Sequence, residues 1–87
     1  MKALYPATPV EIKLMEDFVS LPEGTEMTDD QKRYARLVLE DARAELCERA
    51  RGRGDWQLVH QLMNPTEGSR AERMLARHMR TVADEIC

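Results

Sequence analysis

The pattern Ser/Thr-x-x-Glu/Gln occurs three times in this chain, each time directly before a run with helical hydrophobic periodicity. The three copies are Thr8–Glu11, Thr28–Gln31 and Ser69–Glu72. In such a capping box the hydroxyl accepts from the backbone N–H three residues on, and the Glu or Gln side chain accepts from the N–H of the cap residue. The pattern therefore predicts three helix starts. Pro9 suits the first position of the first helix, where no donor is needed.

Hydrophobic periodicity fills out these three helices. The predicted apolar stripes are Val10, Leu14, Phe18 and Leu21 with Met15 beside them; Ala35, Leu39, Ala42, Leu46 and Ala50; and Ala71, Leu75, Met79, Val82 and Ile86. A fourth, short helix is predicted after Asp55 as N-cap and before the stop at Asn64-Pro65. We expect an all-α, compact four-helix domain, an irregular or orthogonal bundle, with helices at about residues 9–21, 29–51, 56–63 and 70–86.

The length of the chain and its apolar content point to a single domain over residues 1–87. A chain of 87 residues buries roughly 60–65% of its unfolded surface. The longest apolar run, residues 37–39, is far too short to span a bilayer. The first residues lack the apolar segment of a secretory signal, and two cysteines are no disulfide framework. We therefore expect a cytoplasmic protein without membrane contact.

The charges are segregated along the chain, although the net charge is only −3. Residues 1–30 hold two lysines against seven acids, whereas residues 49–80 hold seven arginines against three acids. Such segregation predicts two electrostatically different faces.

The most regular part of the basic region is on the last predicted helix. At about 100° per residue, four arginines fall within an arc of about 80° opposite the apolar stripe. These residues, which we name the arginine face, are Arg70, Arg73, Arg77 and Arg80. Met74 lies beside them. Arginine and methionine are enriched at protein interfaces, and guanidinium groups pair bidentately with carboxylates.

Three interpretations of the arginine face remain open at this level. It is a solvated surface paired with acids such as Glu16 and Asp17, a docking site for an acidic protein, or a site for phosphates. In the last case residues 56–86 form a helix-turn-helix in which Arg70 and Arg73 read base edges, while Arg77 and Arg80 contact phosphates. A pI of about 5.4 disfavours nucleic acid.

An acidic loop before the second helix offers a further interaction surface. Its acids are Glu23, Glu26 and Asp30. Their spacing is not that of a calcium-binding loop, which needs its glycine and its terminal Glu at fixed positions.

Metal binding and catalysis find no support in the residue spacing. Cys47, His60, His78 and Cys87 lack the close pairs through which one local turn presents two zinc ligands. We expect His60 to be partly buried and His78 to lie on the surface. No nucleotide-binding or catalytic motif is present. We predict no metal, no cofactor and no enzyme activity.

The third predicted helix is apolar on nearly every side. Together with Ile12 and Val19 of the first helix, it offers more hydrophobic surface than so small a bundle easily covers. Either Trp56 fills the centre of the bundle, or a homodimer buries the excess.

These observations predict a small, non-catalytic protein-binding module that contacts an acidic partner through the arginine face. Helical domains of this type are common among phage and mobile-element accessory proteins, where they act as inhibitors or adaptors that block a host defence or regulatory complex. The alternative is a helix-turn-helix-like regulator that binds nucleic acid with the same helix.

Overall fold

Four α-helices form the computed structural model, which describes residues 7–22 and 24–86. α1 spans Pro9–Val19, α2 Asp29–Gly52, α3 Trp56–Met63 and α4 Arg70–Ile86. No strand occurs within these ranges, and the predicted all-α, four-helix fold is confirmed. None of the helices in the described ranges is both long enough and apolar enough to cross a bilayer.

Two of the three predicted capping boxes form in full. Thr8 Oγ1 accepts from Glu11 N at 3.2 Å, and Glu11 Oε1 accepts from Thr8 N at 2.9 Å. The box between Thr28 and Gln31 has the same two distances. Reciprocal bonds of this kind satisfy two donors that a helix start otherwise leaves open, so both helices begin where the sequence predicts.

The third box forms only in part. Glu72 N donates to Ser69 Oγ at 3.2 Å, as predicted. The Glu72 carboxylate, however, accepts from Gly68 N at 3.0 Å. The prediction that it binds the N–H of Ser69 is wrong, because that N–H already donates to Thr66 O at 3.1 Å within the preceding turn.

The ends of the first two helices differ slightly from the prediction. α1 ends at Val19, two residues early, because Ser20 adopts a left-handed conformation with φ of 54°. A proline at position 22 also disfavours the helical region for the residue before it. α2 extends to Gly52, and the left-handed residue after it is Gly54, with φ of 73°.

The turn after α2 is a Schellman motif. Gly54 N donates to Arg51 O at 3.0 Å, and Asp55 N donates to Ala50 O at 2.9 Å. Both carbonyls belong to the last turn of the helix, and these two bonds close it. Asp55 then caps α3 by accepting from Leu58 N at 3.2 Å, so the turn directly positions the next helix.

One hydrophobic cluster collects buried side chains from all four helices. Its members are Leu14, Met15, Ala35, Val38, Leu39, Ala42, Leu46, Cys47, Ala50, Leu58, Val59, Leu62, Ala71, Leu75, Met79 and Val82. α2 and α4 pack against each other, and both α1 and α3 pack against this pair. Within the described residues, the backbones of α1 and α3 do not approach each other closely. Val10 and Phe18 of the predicted stripe are half-buried at the edge of the cluster.

Candidate functional site on the last helix

The arginine face lies on the solvent side of α4. Arg70, Arg73, Arg77 and Arg80 are all exposed. The opposite side of the helix is buried through Ala71, Leu75, Met79 and Val82. This division follows from the helical period, since residues three and four apart share a side. All four arginines therefore lie on the side of α4 that faces away from the core.

Few interactions occupy these guanidinium groups. Arg73 Nη1 donates to Gly68 O at 3.1 Å, a backbone carbonyl in the turn before α4. Within residues 7–22 and 24–86, Arg70, Arg77 and Arg80 have neither a hydrogen bond nor an ion pair. The expectation that acids of α1 neutralise this face is wrong for the described residues, because neither Glu16 nor Asp17 forms such a pair.

The arginine face is also one wall of a groove between α1 and α4. Arg73, Arg77 and Arg80 line it together with Leu14 and Phe18, in a volume of about 580 Å³. The remaining lining residues are Asp17, Ala76, Thr81 and Asp84. The groove thus combines three cationic tips with an apolar floor from α1 and two carboxylates. A flat, wholly solvated helix surface would offer only the charges.

Arg70 stands apart from the other three arginines. It lies at the first position of α4, in a shallow depression shared with α3 and lined by Asp55, Gln57, Gln61 and Ser69. The sequence places all four arginines in one row, but the structure divides them between the α1–α4 groove and the α3–α4 junction. A ligand in the α1–α4 groove would therefore contact Arg73, Arg77 and Arg80 but not Arg70.

Met74 contributes less to this surface than the sequence predicts. It is half-buried and packs against the core cluster instead of standing beside the arginines in solvent.

The exposure of the two histidines is the reverse of the prediction. His60 is exposed on α3, whereas His78 is half-buried and its Nε2 lies 3.0 Å from Glu45 Oε2 of α2. Both histidine predictions are wrong, because α3 buries a different side and α2 covers His78.

The acidic loop forms a second, mixed surface. Glu23 lies outside the described residues, and Glu26 and Asp30 are exposed. Glu26 lines a groove of about 650 Å³ between α1 and the start of α2. The groove also contains Ile12 and Met27, the acids Glu16 and Asp29, and the cations Lys32, Arg33 and Arg36. Since three acids and three cations line it, this groove has no single preferred charge.

Three of the four residues considered for zinc lie in different environments. Cys47 is buried in the core, His60 is exposed on α3, and His78 contacts α2. Cys87 lies outside the described residues. No group of three or more potential ligands occurs in the described part of the chain.

α3 leaves its largest side chain in solvent. Trp56 is 58% exposed and Met63 is 55% exposed. The helix buries Leu58, Val59 and Leu62 instead. The interpretation in which Trp56 fills the centre of the bundle is therefore wrong.

A buried ion pair between α1 and α2 is the polar feature that the sequence analysis missed. Glu11 is only 7% exposed, and its Oε2 pairs with Arg43 Nη2 while Oε1 closes the capping box. Burial raises the pKa of Glu11, but the hydrogen bond from Thr8 N–H and the bond and charge of Arg43 together outweigh it. The pKa therefore lies below its usual value, and Glu11 stays ionised.

This ion pair continues into a short network along α2. Arg43 Nη1 lies 3.3 Å from Glu40 Oε1, which lies 3.8 Å from Arg36 Nε. The positions of Glu11 and Arg43 relative to the apolar stripes of their helices could have indicated this pair from the sequence. Glu11 precedes Leu14 by one turn, and Arg43 follows Leu39 by one turn, so both charged groups sit on buried sides. Their role is to fix α1 on α2, and with it one wall of the α1–α4 groove.

Comparison with protein-family models, with curated proteins and with solved structures found no match to this chain. The surface described above is accordingly the basis for inferring a function.

Proposed function

We propose that this chain is a non-catalytic binding module, an inhibitor or adaptor, that docks an acidic protein through the arginine face of α4. One observation carries the proposal. Arg77 and Arg80 are exposed beside an apolar-floored groove and have no partner within the described residues. A partner that brings carboxylates to this groove gains charge-assisted bonds without first breaking internal ones.

The spacing of the arginines supports the same conclusion. Arg73 and Arg77 are four residues apart, and Arg77 and Arg80 are three apart, so each pair lies on one helix surface. Like charges at these spacings destabilise a helix. Because Arg77 and Arg80 form no ion pair within the described residues, this repulsion is not offset internally, and an acidic partner relieves it.

The lining of the groove favours a protein over nucleic acid. The half-buried Phe18, with the buried Leu14 next to it in the lining, offers apolar contact, which a polypeptide side chain fills and a phosphate backbone does not. The sequence pI of about 5.4 also lies far below that of typical nucleic-acid-binding domains. An acidic segment with one apolar side chain fits both the floor and the cationic wall.

The inhibitor or adaptor role is the kind of function that a small helical module of the phage or mobile-element type performs, by occupying a surface of a host complex. The proposal places this interaction in the cytoplasm. Cys47 is a free thiol in the core, and a reducing compartment keeps thiols in that state.

Site-specific photo-cross-linking tests the proposal. A photoreactive residue replaces Thr81, which is exposed and lines the groove, and in a parallel chain replaces Asp41 on the outer side of α2. We expect one acidic protein to be captured from position 81 and not from position 41. Capture from both positions, or of proteins without an acidic surface, contradicts the proposal.

Charge reversal supplies the matched control. Arg77→Glu/Arg80→Glu is preferred over any variant of Arg73, whose guanidinium also holds the turn before α4. Lys32→Glu/Arg33→Glu changes the net charge equally at exposed positions of α2. We expect only the first variant to lose the captured protein. Equal losses in both variants indicate a general charge effect.

Binding to random-sequence duplex DNA separates the remaining alternative. A helix-turn-helix-like regulator binds it at low salt, with an affinity that falls steeply as salt rises. We expect no such binding. A steep salt dependence that Arg77→Glu/Arg80→Glu abolishes would replace the protein partner by nucleic acid.

A further inference from the structure

The outer side of α3 is a second surface, separate from the arginine face. Trp56, His60 and Met63 fall within an arc of about 60° on this helix, and all three are exposed. The opposite side is the one that Leu58, Val59 and Leu62 bury in the core. The exposed residues are therefore not needed to cover the bundle.

Exposure of this size is unusual for these residue types. Trp56 is the only tryptophan of the chain, and more than half of it is in water. A large apolar side chain in solvent is informative when it belongs to a patch, because such patches mark interaction sites. Tryptophan and methionine are enriched where proteins bind each other, and tryptophan is enriched among energetic hot spots.

The charges around this patch indicate the chemistry of its occupant. Arg51 and Arg53, from the end of α2 and the following turn, are exposed within a few residues of Trp56. Arg51 and Met63 line one depression, together with Glu40, Arg43 and Glu48 of α2. Asp55 and Arg70 line the depression on the other side of the helix. Arg43 and Glu40 are held in ion pairs with each other and with Glu11 and Arg36. The remaining charges along the border are three arginines against two acids, namely Arg51, Arg53 and Arg70 against Glu48 and Asp55.

A second copy of the chain fits this surface less well than an acidic segment. In a two-fold contact centred on α3, both chains contribute the same cation-rich patch. Two patches of like charge repel each other, whereas an acidic segment brings the complementary charge.

We propose that the outer side of α3 binds an acidic polypeptide segment. An apolar side chain of the segment covers Trp56 and Met63, and its carboxylates pair with Arg51 and Arg53. This inference stands on the exposure of α3 and does not depend on the function proposed for the arginine face.

The single tryptophan makes the test direct, because its emission reports only on this patch. The probe is a synthetic amphipathic helical peptide of leucine, alanine and glutamate without aromatic residues; its counterpart carries glutamine in place of every glutamate. We expect a saturable blue shift of the Trp56 emission with the acidic peptide, and binding at least tenfold weaker with the glutamine peptide. Absence of a saturable shift, or equal binding of both peptides, overturns the proposal.

Matched variants locate the binding. Met63 and Leu37 are each 55% exposed, on different helices. We expect Met63→Glu to weaken peptide binding at least tenfold and Leu37→Glu to leave it unchanged. Arg51→Gln/Arg53→Gln reduces affinity to a similar extent. Far-ultraviolet circular dichroism shows whether each variant is folded, so that a loss of binding is assigned to the surface.

Three further outcomes decide against the proposal. A shift of the emission that depends on protein concentration without peptide indicates a second copy as occupant. A shift with phosphatidylglycerol vesicles but not with peptide indicates a lipid surface. Loss of the peptide response in Arg77→Glu/Arg80→Glu places the peptide on the arginine face. We expect that variant to respond like the unmodified chain, whatever the fate of the arginine-face proposal.

Discussion

Glu11 of α1 and Arg43 of α2 form a nearly buried ion pair, and the same carboxylate closes the capping box of α1. The Glu11 side chain thus caps the start of α1 and attaches this helix to α2. α1 supplies Leu14 and Phe18 to the groove beside the arginine face. The two residues of the ion pair are 32 positions apart in the sequence. By fixing α1 on α2, the pair helps to determine the shape of the candidate site.

We expect Glu11→Ala to destabilise the protein far more than its capping role explains. Gln31→Ala removes the equivalent half of the second capping box without an ion pair, at a cost below about 1 kcal/mol. Glu11→Ala also leaves Arg43 buried without its partner, for a total of about 3 kcal/mol. Denaturant unfolding of the two variants measures the difference. Equal free energies of unfolding would show that the ion pair contributes nothing.

The lowered pKa of Glu11 predicts a specific loss of stability in acid. Its folded-state pKa lies below that of the unfolded chain, which is about 4.3, so the unfolded state binds the proton more readily. The contribution is complete above the unfolded value and is lost as the pH falls through the folded value. Glu11→Gln should be less stable near neutral pH and lose less stability on acidification. Parallel curves of stability against pH contradict this.

Two neighbouring glycines should respond to alanine in opposite directions. Gly54 has a left-handed φ of 73°, where a side chain costs about 1 kcal/mol. Gly52 is the last residue of α2, and a Cβ there meets nothing within 4 Å. Alanine at Gly52 should stabilise the protein by about 0.5 kcal/mol. Thermal unfolding of the two single variants checks both signs, and a destabilising Gly52→Ala would contradict the second.

Charge reversal on the arginine face should leave the fold intact. Arg77 and Arg80 are exposed and have no interaction to lose within the described residues. We expect Arg77→Glu/Arg80→Glu to change the free energy of unfolding by less than about 0.5 kcal/mol. A larger destabilisation would mean that these arginines are structural, and the loss of a partner in that variant would no longer identify a docking site.

The exposure of Trp56 has a consequence for stability as well as for binding. A buried tryptophan costs about 3–5 kcal/mol when it is replaced by alanine. Trp56 is 58% exposed, so we expect Trp56→Ala to cost less than about 1 kcal/mol. Leu62→Ala, on the buried side of the same helix, should cost about 2–5 kcal/mol. Urea unfolding of both variants shows which side of α3 supports the fold.

Local signals predicted the helix starts well. A capping box is contained in four residues, and Thr8 and Thr28 needed no information from the rest of the chain. The end of α1 was harder, because the left-handed turn at Ser20 competes with a continuing apolar pattern. The side of α4 that carries the arginines also followed from helical periodicity alone.

Contacts between helices could not be predicted from the periodicity of single helices. α3 has apolar residues on nearly every side, so only its packing against α2 and α4 decides that Leu58 is buried and Trp56 is not. The pairing of Glu11 with Arg43 likewise needs the relative placement of two helices. For the candidate site, the sequence predicted the charges but not the apolar floor that α1 provides.

α3 has eight residues, and an isolated helix of that length has little stability in water. It persists because α2 and α4 hold it through three side chains. The position of Trp56 on the exposed side of α3 therefore depends on the packing of the buried side. A core substitution that weakens this packing would also weaken ligand binding at Trp56, even if every residue that contacts the ligand were unchanged.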